Sequence, residues 1–203
     1  MFWITIVLFA VAACADSFVI GFNYGVKGVR ISTIANSFLS LICLVGTFLS
    51  MLLGRFSGYY LDPAATDAIG GLIFVLLGLW MLKGSLSAPK LQQRTREYSE
   101  NPELVDKDQS SVIELRESLL IGLILCLNNI GLGIGAGMAH ISMIMAPLVS
   151  ALFSFVFIWS GCAIGKRITS RLFSRVLEIV GAMLIVVLGI KELTAFLFKN
   201  VVG

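Results

Sequence analysis

The sequence predicts an all-α fold: a polytopic membrane protein with six transmembrane helices arranged as two inverted three-helix repeats. Three observations carry this. Of 203 residues, 58% are hydrophobic and only 13% are charged. Six apolar stretches are each about as long as the roughly 20 residues a spanning helix needs. The second half also repeats the pattern of the first with a nearly constant offset.

So much apolar surface cannot be hidden inside a soluble domain of this size. Disorder is excluded, because it requires low hydrophobicity and high net charge. The net charge is +3 and the basic residues fall in separate clusters, so no nucleic-acid partner is expected. No phosphate loop, Cys-x-x-Cys pair or His-rich motif occurs, and a single histidine leaves little room for acid–base catalysis, so the chain reads as a non-enzyme needing no cofactor. The four cysteines, Cys14, Cys43, Cys126 and Cys162, lie within apolar stretches and read as free buried thiols.

The spans read as about 2–25, 32–54, 65–83, 115–138, 141–164 and 177–198. Helices are required because the bilayer core offers no water to the backbone. No basic residue precedes Lys27, so the first stretch reads as a span, not a cleaved leader. All 15 lysines and arginines except Arg55, Lys191 and Lys199 fall on one face when crossings are counted from the N-terminus. The positive-inside rule makes that face cytoplasmic and puts both termini outside a multi-pass cell-membrane protein. The domains are then a first repeat over 1–83, a cytoplasmic polar linker over 84–112 and a second repeat over 113–203. The linker has no apolar run and reads as solvated, and Ser111 with Glu114 reads as a capping box opening span four.

The repeat is legible by superposition. Shifted by 112, Cys14 falls on Cys126, Asp16 on Asn128, Gly21 on Gly133 and Gly25 on Gly137; shifted by 110, Ser40 falls on Ser150; shifted by 111, Gly54 falls on Gly165, Gly70 on Gly181 and Gly78 on Gly189. Three spans per unit is an odd number, so the units enter the membrane from opposite sides. Many secondary transporters are built this way, with the ligand near the midplane.

Asp16 is the most informative residue. It lies about 21 Å along span one at 1.5 Å per residue. An acid there costs about 2.5–3.5 kcal/mol on insertion scales. Such a residue marks an ion or proton path, or is a protonated group bonding two helices. Asn23 shares its helical face. Asn128 and Asn129 stand near the middle of span four, followed by Gly131, Gly133, Gly135 and Gly137. Asp16, Asn128 and Asn129 offer hard oxygen ligands suited to Mg, Ca or Mn. Gly131 and Gly135 either expose carbonyl ligands from an unwound helix or pack tightly. Asn36, Ser40, Cys43, Thr47 and Ser50 form one stripe on span two, fit for a wet lumen or for packing. Met138, His140, Met143 and Met145 cluster at the outer end of spans four and five, as softer metal ligands or as ordinary apolar residues. Lys191 and Glu192 in span six either snorkel outward or pair with a neighbour.

The segments Asp16-Ser-Phe-Val-Ile-Gly21 and Asn128-Asn-Ile-Gly-Leu-Gly133, with Leu77-Gly78 and Leu188-Gly189, resemble the paired motifs of the MntP manganese efflux pump family. The resemblance covers nearly all of the chain outside the linker. It implies export of a divalent cation, with manganese as cargo and midplane acidic residues of both repeats as ligands. Asp16 matches that pattern; Asn128 stands where the pumps carry Asp, which removes one negative charge. The chain is also similar to the sporulation-associated members of the group, which implies the alternative of a non-transporting sporulation membrane component or scaffold. The expected partners are the lipid bilayer and a small cation.

Overall fold

The computed structural model describes residues 2–59, 63–86, 97, 101–106, 110–167 and 171–201; some side chains within these ranges, including that of Asn128, lie outside the described set. The fold is mostly helical: α1 (Phe2–Ala13), α2 (Ala15–Val26), β1 (Arg30–Ile31), α3 (Thr33–Gly58), α4 (Pro63–Leu86), a 3-10 turn (Pro102–Leu104), β2 (Val112–Ile113), α5 (Leu115–Met138), α6 (Met145–Gly165) and α7 (Arg171–Val201). Among the described residues, Trp3–Val26, Thr33–Gly58 and Met145–Gly165 are long and apolar enough to cross a membrane; Leu115–Leu127 and Asn129–Met138, bent by 45°, make a fourth candidate. Ala68–Lys83 is a shorter apolar helix.

Apolar side chains point outward to an extent that is rare in soluble monomers and marks a membrane-facing surface. On α3, Leu41, Val45, Phe48, Leu49, Leu52 and Phe56 are exposed, while Asn36, Ser40, Cys43, Thr47 and Ser50 are buried. The helix thus turns its polar stripe inward and its leucines toward lipid, as expected where the solvent is hydrocarbon. The stripe holds itself partly by local bonds: Ser40 Oγ donates to Asn36 O at 2.9 Å and Ser50 Oγ to Gly46 O at 2.6 Å.

Glycines set the helix pairing. The most extensive contacts join α3 with α5, α4 with α7, and α2 with α6. Gly21 and Gly25 face the backbones of Ile158 and Cys162, so α2 and α6 run in the same direction. Gly133 and Gly137 face Ser50 and Met51, and Gly54 faces Ile134, so α3 and α5 also run together. Gly78 meets Ala182 and Val186 while Gly189 meets Gly71 and Val75, so α4 and α7 are antiparallel. The same contacts recur under the sequence shift: Gly25 on Cys162 and Gly137 on Met51, Gly165 on Phe22 and Gly54 on Ile134.

Two apolar clusters form the core. One contains Ile6, Phe9, Met51, Phe74, Leu132 and Leu188; the other contains Ile20, Tyr24, Leu39, Val105, Leu125 and Ile158. At the end holding the second cluster, β1 and β2 pair in parallel, with Arg30 opposite Val112 and Ile31 opposite Ile113. This short sheet, absent from the all-α expectation, ties the approach to α3 to the approach to α5.

The stretch read as a polar linker (84–112) lies partly outside the described residues, but its last part is docked. Val105 is buried against Tyr24 and Ile113, and Lys27 Nζ donates to Asn101 Oδ1 at 2.9 Å. Asp106, 7% exposed, accepts from the Ser110 and Ser111 amides at 3.0 and 2.9 Å. That grip holds Ser111 at φ 60, so it cannot cap the helix. The cap moves on to Glu114, whose amide donates to Glu117 Oε2 at 3.4 Å. Asp106→Ala removes a charged acceptor from two amides and is expected to lower stability by about 1.5–3 kcal/mol. Thermal unfolding in detergent, with proteolysis between 101 and 112, measures this; an unchanged transition contradicts it.

At the opposite end, Lys191 takes the pairing role. Its Nζ donates to Thr5 Oγ1 and lies 3.1 Å from Glu192 Oε1, joining α7 to α1.

Candidate functional site

Between the two apolar clusters lies a layer of small polar side chains. On α3, Cys43 and Thr47 sit between Leu39 and Met51; on α5, Asn129 sits between Leu125 and Leu132. On α6, Ser150 and Ser154 sit between Ala146 and Ile158, and at the α1–α2 junction Cys14 and Ser17 sit between Ala13 and Ile20. Four chain segments, two from each half, therefore meet at one level.

The junction is a local break. Cys14 leaves helical geometry at φ −99, ψ 4, and α2 begins at Ala15. Asp16 consequently occupies the first turn of α2, where the free amides and helix dipole favour negative charge. Its side chain is half-buried.

Cys14 Sγ donates to Ser150 O at 3.1 Å and Ser17 Oγ shares a hydrogen bond with Ser154 Oγ at 3.0 Å. Asn129 Nδ2 approaches Cys43 Sγ at 3.9 Å. Under the shifts of 112 and 111, Ser17 falls on Asn129 and Cys43 on Ser154. The pair Ser17–Ser154 is thus the counterpart of the pair Asn129–Cys43.

Several buried acceptors here are unpartnered. Asn129, 5% exposed, has no partner for Oδ1, nor has Ser150 for Oγ. Asn36, 3% exposed, donates through Nδ2 to Phe155 O at 3.0 Å but leaves Oδ1 unpaired. A buried polar group left unpaired costs about 1–3 kcal/mol. Such a layer costs stability unless something else fills its valences.

The sequence-derived site residues distribute unevenly. Asp16 and Asn129 border the layer. Asn36 lies nearer the β1 end and lines a cavity of about 220 Å³ whose rim includes Arg30 and Lys166. Ser40 is buried and bonded within α3. Asn23 is half-buried on α2. Asn128 stands at the bend of α5, and its side chain lies outside the described residues. Gly131 and Gly135 face Leu77 and Phe74, so both serve the contact of α5 with α4. Met138 is buried, whereas Met145 and His140 are exposed. Among the described residues no three His, Cys, Asp or Glu side chains gather in a metal-binding group.

Sequence reasoning placed Cys43 on the span-two stripe, Ser150 and Ser154 on a thinner stripe of span five and Cys14 among the free thiols, without bringing them into one layer. All four cysteines are free, as expected, with Cys14 and Cys43 buried. The available signal was the shift itself, which places Cys43 on Ser154.

No solved structure matches the chain. The "Probable sporulation protein YtaF" of Bacillus subtilis (strain 168) is 29% identical over 94% of this chain and 99% of its own. The "Putative manganese efflux pump MntP" of Syntrophomonas wolfei subsp. wolfei is 27% identical over 93% of this chain and 96% of its own. The family model described as "Putative manganese efflux pump" matches residues 1–82 and 93–193. A membrane protein with apolar helices turned outward and a polar layer inside, this chain belongs to that Mntp family.

Proposed function

We propose that this chain is a secondary carrier that exports a divalent cation, manganese-like in charge, through a midplane site between two inverted three-helix repeats. The observation that carries the reading is the paired construction of the polar layer, with Ser17–Ser154 matched by Asn129–Cys43 across the halves. The helix directions support it, since α2 runs with α6, α3 with α5 and α4 against α7, as two oppositely inserted units of three spans require. Membership of the pump family supports cation export.

In this reading Asp16 supplies the negative charge and Asn129 Oδ1 a neutral oxygen, while Asn36 Oδ1 stands farther along, toward the β1 end. Asn23, Asn128 and Ser40 extend the path. Gly131 and Gly135 bring α5 onto α4. The two repeats rock about the layer, and an ion gradient drives the cycle. Both termini lie outside and the 84–112 segment is cytoplasmic, which the distribution of basic residues supports.

The test is cation content in cells lacking their own exporter. Cells carrying this chain should hold less manganese, zinc or cadmium after loading than cells carrying the empty vector. Equal content for all three ions, with the protein present in the membrane, overturns the carrier. A non-transporting sporulation membrane component is the second reading, favoured by the relative named for sporulation; it predicts that equality.

A further inference from the structure

We infer that the cavity between the start of α3 and the end of α6 is a binding site for an anionic phosphodiester that carries a free hydroxyl, the headgroup chemistry of phosphatidylglycerol. The cavity holds about 220 Å³. That suits a small polar group, since pockets for drug-sized ligands run to roughly 300–1,000 Å³. Arg30, Thr33 and Asn36 line it from the β1–α3 segment, and Phe155, Trp159 and Lys166 from α6 and its end. Arg30 lies in the strand pair, its amide donating to Ser111 O at 2.9 Å, and Lys166 directly follows α6. Both are exposed. No Asp or Glu lines the cavity, and among the described residues neither cation is paired with a carboxylate. Asn36, by contrast, is 3% exposed; its Nδ2 donates to Phe155 O at 3.0 Å, and its Oδ1 has no partner.

Charge and hydrogen bonding together define the ligand. Two exposed cations at the rim repel a metal ion and attract an anion, and an arginine can grip phosphate through two parallel hydrogen bonds. Asn36 Oδ1 is an acceptor, so phosphate oxygens do not satisfy it, whereas a hydroxyl on the same ligand does. A choline headgroup has neither a hydroxyl nor net charge. An ethanolamine headgroup has donors but no net charge, and its ammonium meets two like charges. Position decides between a lipid and a soluble ester. Arg30 and Lys166 flank the same end of two membrane-spanning helices, which is where lipid phosphates lie. Trp159, 67% exposed, walls the cavity on the lipid-facing surface, as interfacial tryptophans do. Basic pockets between spanning helices hold anionic headgroups in this way. The site stands whether or not the chain transports.

The experiment is native mass spectrometry of the full chain in detergent with defined lipids. Phosphatidylglycerol should be retained as a single molecule per chain, about 25-fold more tightly than phosphatidylcholine, at about fivefold for each cation. Phosphatidylethanol, with the same charge and no headgroup hydroxyl, should bind about fivefold more weakly than phosphatidylglycerol. Arg30→Gln and Lys166→Gln should each weaken phosphatidylglycerol by about fivefold. Arg55→Gln, at an exposed cation near the other end of α3, should change nothing. Asn36→Leu should erase the preference for phosphatidylglycerol over phosphatidylethanol. The comparison of lipids on the unaltered chain decides the matter even where a variant fails to fold. Equal retention of the three lipids overturns the site, as does a loss in Arg55→Gln as large as that in Lys166→Gln. Soluble glycerol phosphate in excess should leave the lipid bound. Displacement of the lipid by an equal concentration of that ester overturns the lipid as occupant and assigns the cavity to the soluble ester.

Discussion

Gly137→Val is expected to leave the protein unable to assemble its bundle. A Cβ at Gly137 would lie 2.1 Å from Met51 O and 3.0 Å from Arg55 N, and one at Gly54 would lie 2.2 Å from Ile134 O. These neighbours are backbone atoms of helices in register, so no side-chain rotation relieves the clash. Relief requires α3 and α5 to move apart, which opens the interface from Gly46 to Gly54. Overpacking costs about 1–3 kcal/mol and occasionally more. Here both backbones are involved, so the cost belongs at or above that upper end. The helix propensity gained on replacing glycine, at most about 1 kcal/mol, does not compensate. Gly54→Val should fail in the same way, through the same interface. Gly28→Ala is the control. Its φ is +76 with nothing within 4 Å, so it suffers only the backbone strain of about 1–2 kcal/mol. Size-exclusion profiles and thermal unfolding in detergent should show aggregate for Gly137→Val and Gly54→Val, and a modestly lowered transition for Gly28→Ala. A monodisperse Gly137→Val protein with the parental transition contradicts the packing account.

Asp16→Asn is expected to return cellular cation content to the empty-vector value while the protein remains folded. The amide keeps the shape of the carboxylate, removes its charge and replaces one of its two acceptor oxygens by a donor. At about 4 Å and an effective dielectric near 20, one charge pair is worth about 4 kcal/mol, and a dication roughly doubles that. Even the smaller figure corresponds to about 1,000-fold in affinity. Stability should move the other way or not at all, because a half-buried charge is desolvated at a cost. This opposition separates a functional carboxylate from an interhelical bond: loss of the bond lowers the unfolding temperature, and loss of an ion ligand does not. Retained export at matched expression removes Asp16 from the mechanism.

Much of this architecture was legible in one dimension. The stripe Asn36, Ser40, Cys43, Thr47 and Ser50 has helical spacing, and all five are buried. The glycines at 21 and 25 read as the repeat counterparts of those at 133 and 137, and all four meet backbone or, at Gly133, the Ser50 side chain. Asn129 read as a candidate ligand and borders the polar layer. Other features were not legible. Val105 sits in a charged, proline-containing stretch, and nothing local shows that Tyr24 and Ile113 leave room for it. Ser111 and Glu114 have capping-box spacing, but a carboxylate five residues earlier takes the Ser111 amide. Gly131 and Gly135 could equally have exposed carbonyls, until α4 filled the space beside them. Cys14 read only as a free buried thiol, and Cys43 also as one residue of the span-two stripe, because a thiol's surroundings are not written in its local sequence.

Composition and periodicity suffice to identify apolar helices whose polar faces turn away from lipid, because a backbone in hydrocarbon must bond to itself and outward residues must be apolar. They do not say which polar residues meet. Small residues such as serine, cysteine and asparagine serve equally as spacers and as ligands, and local periodicity cannot distinguish the two. That distinction arises only when helices distant in sequence lock through their glycines and bring Cys43 to Asn129, 86 residues on, and Ser17 to Ser154, 137 residues on, at one level of the bundle.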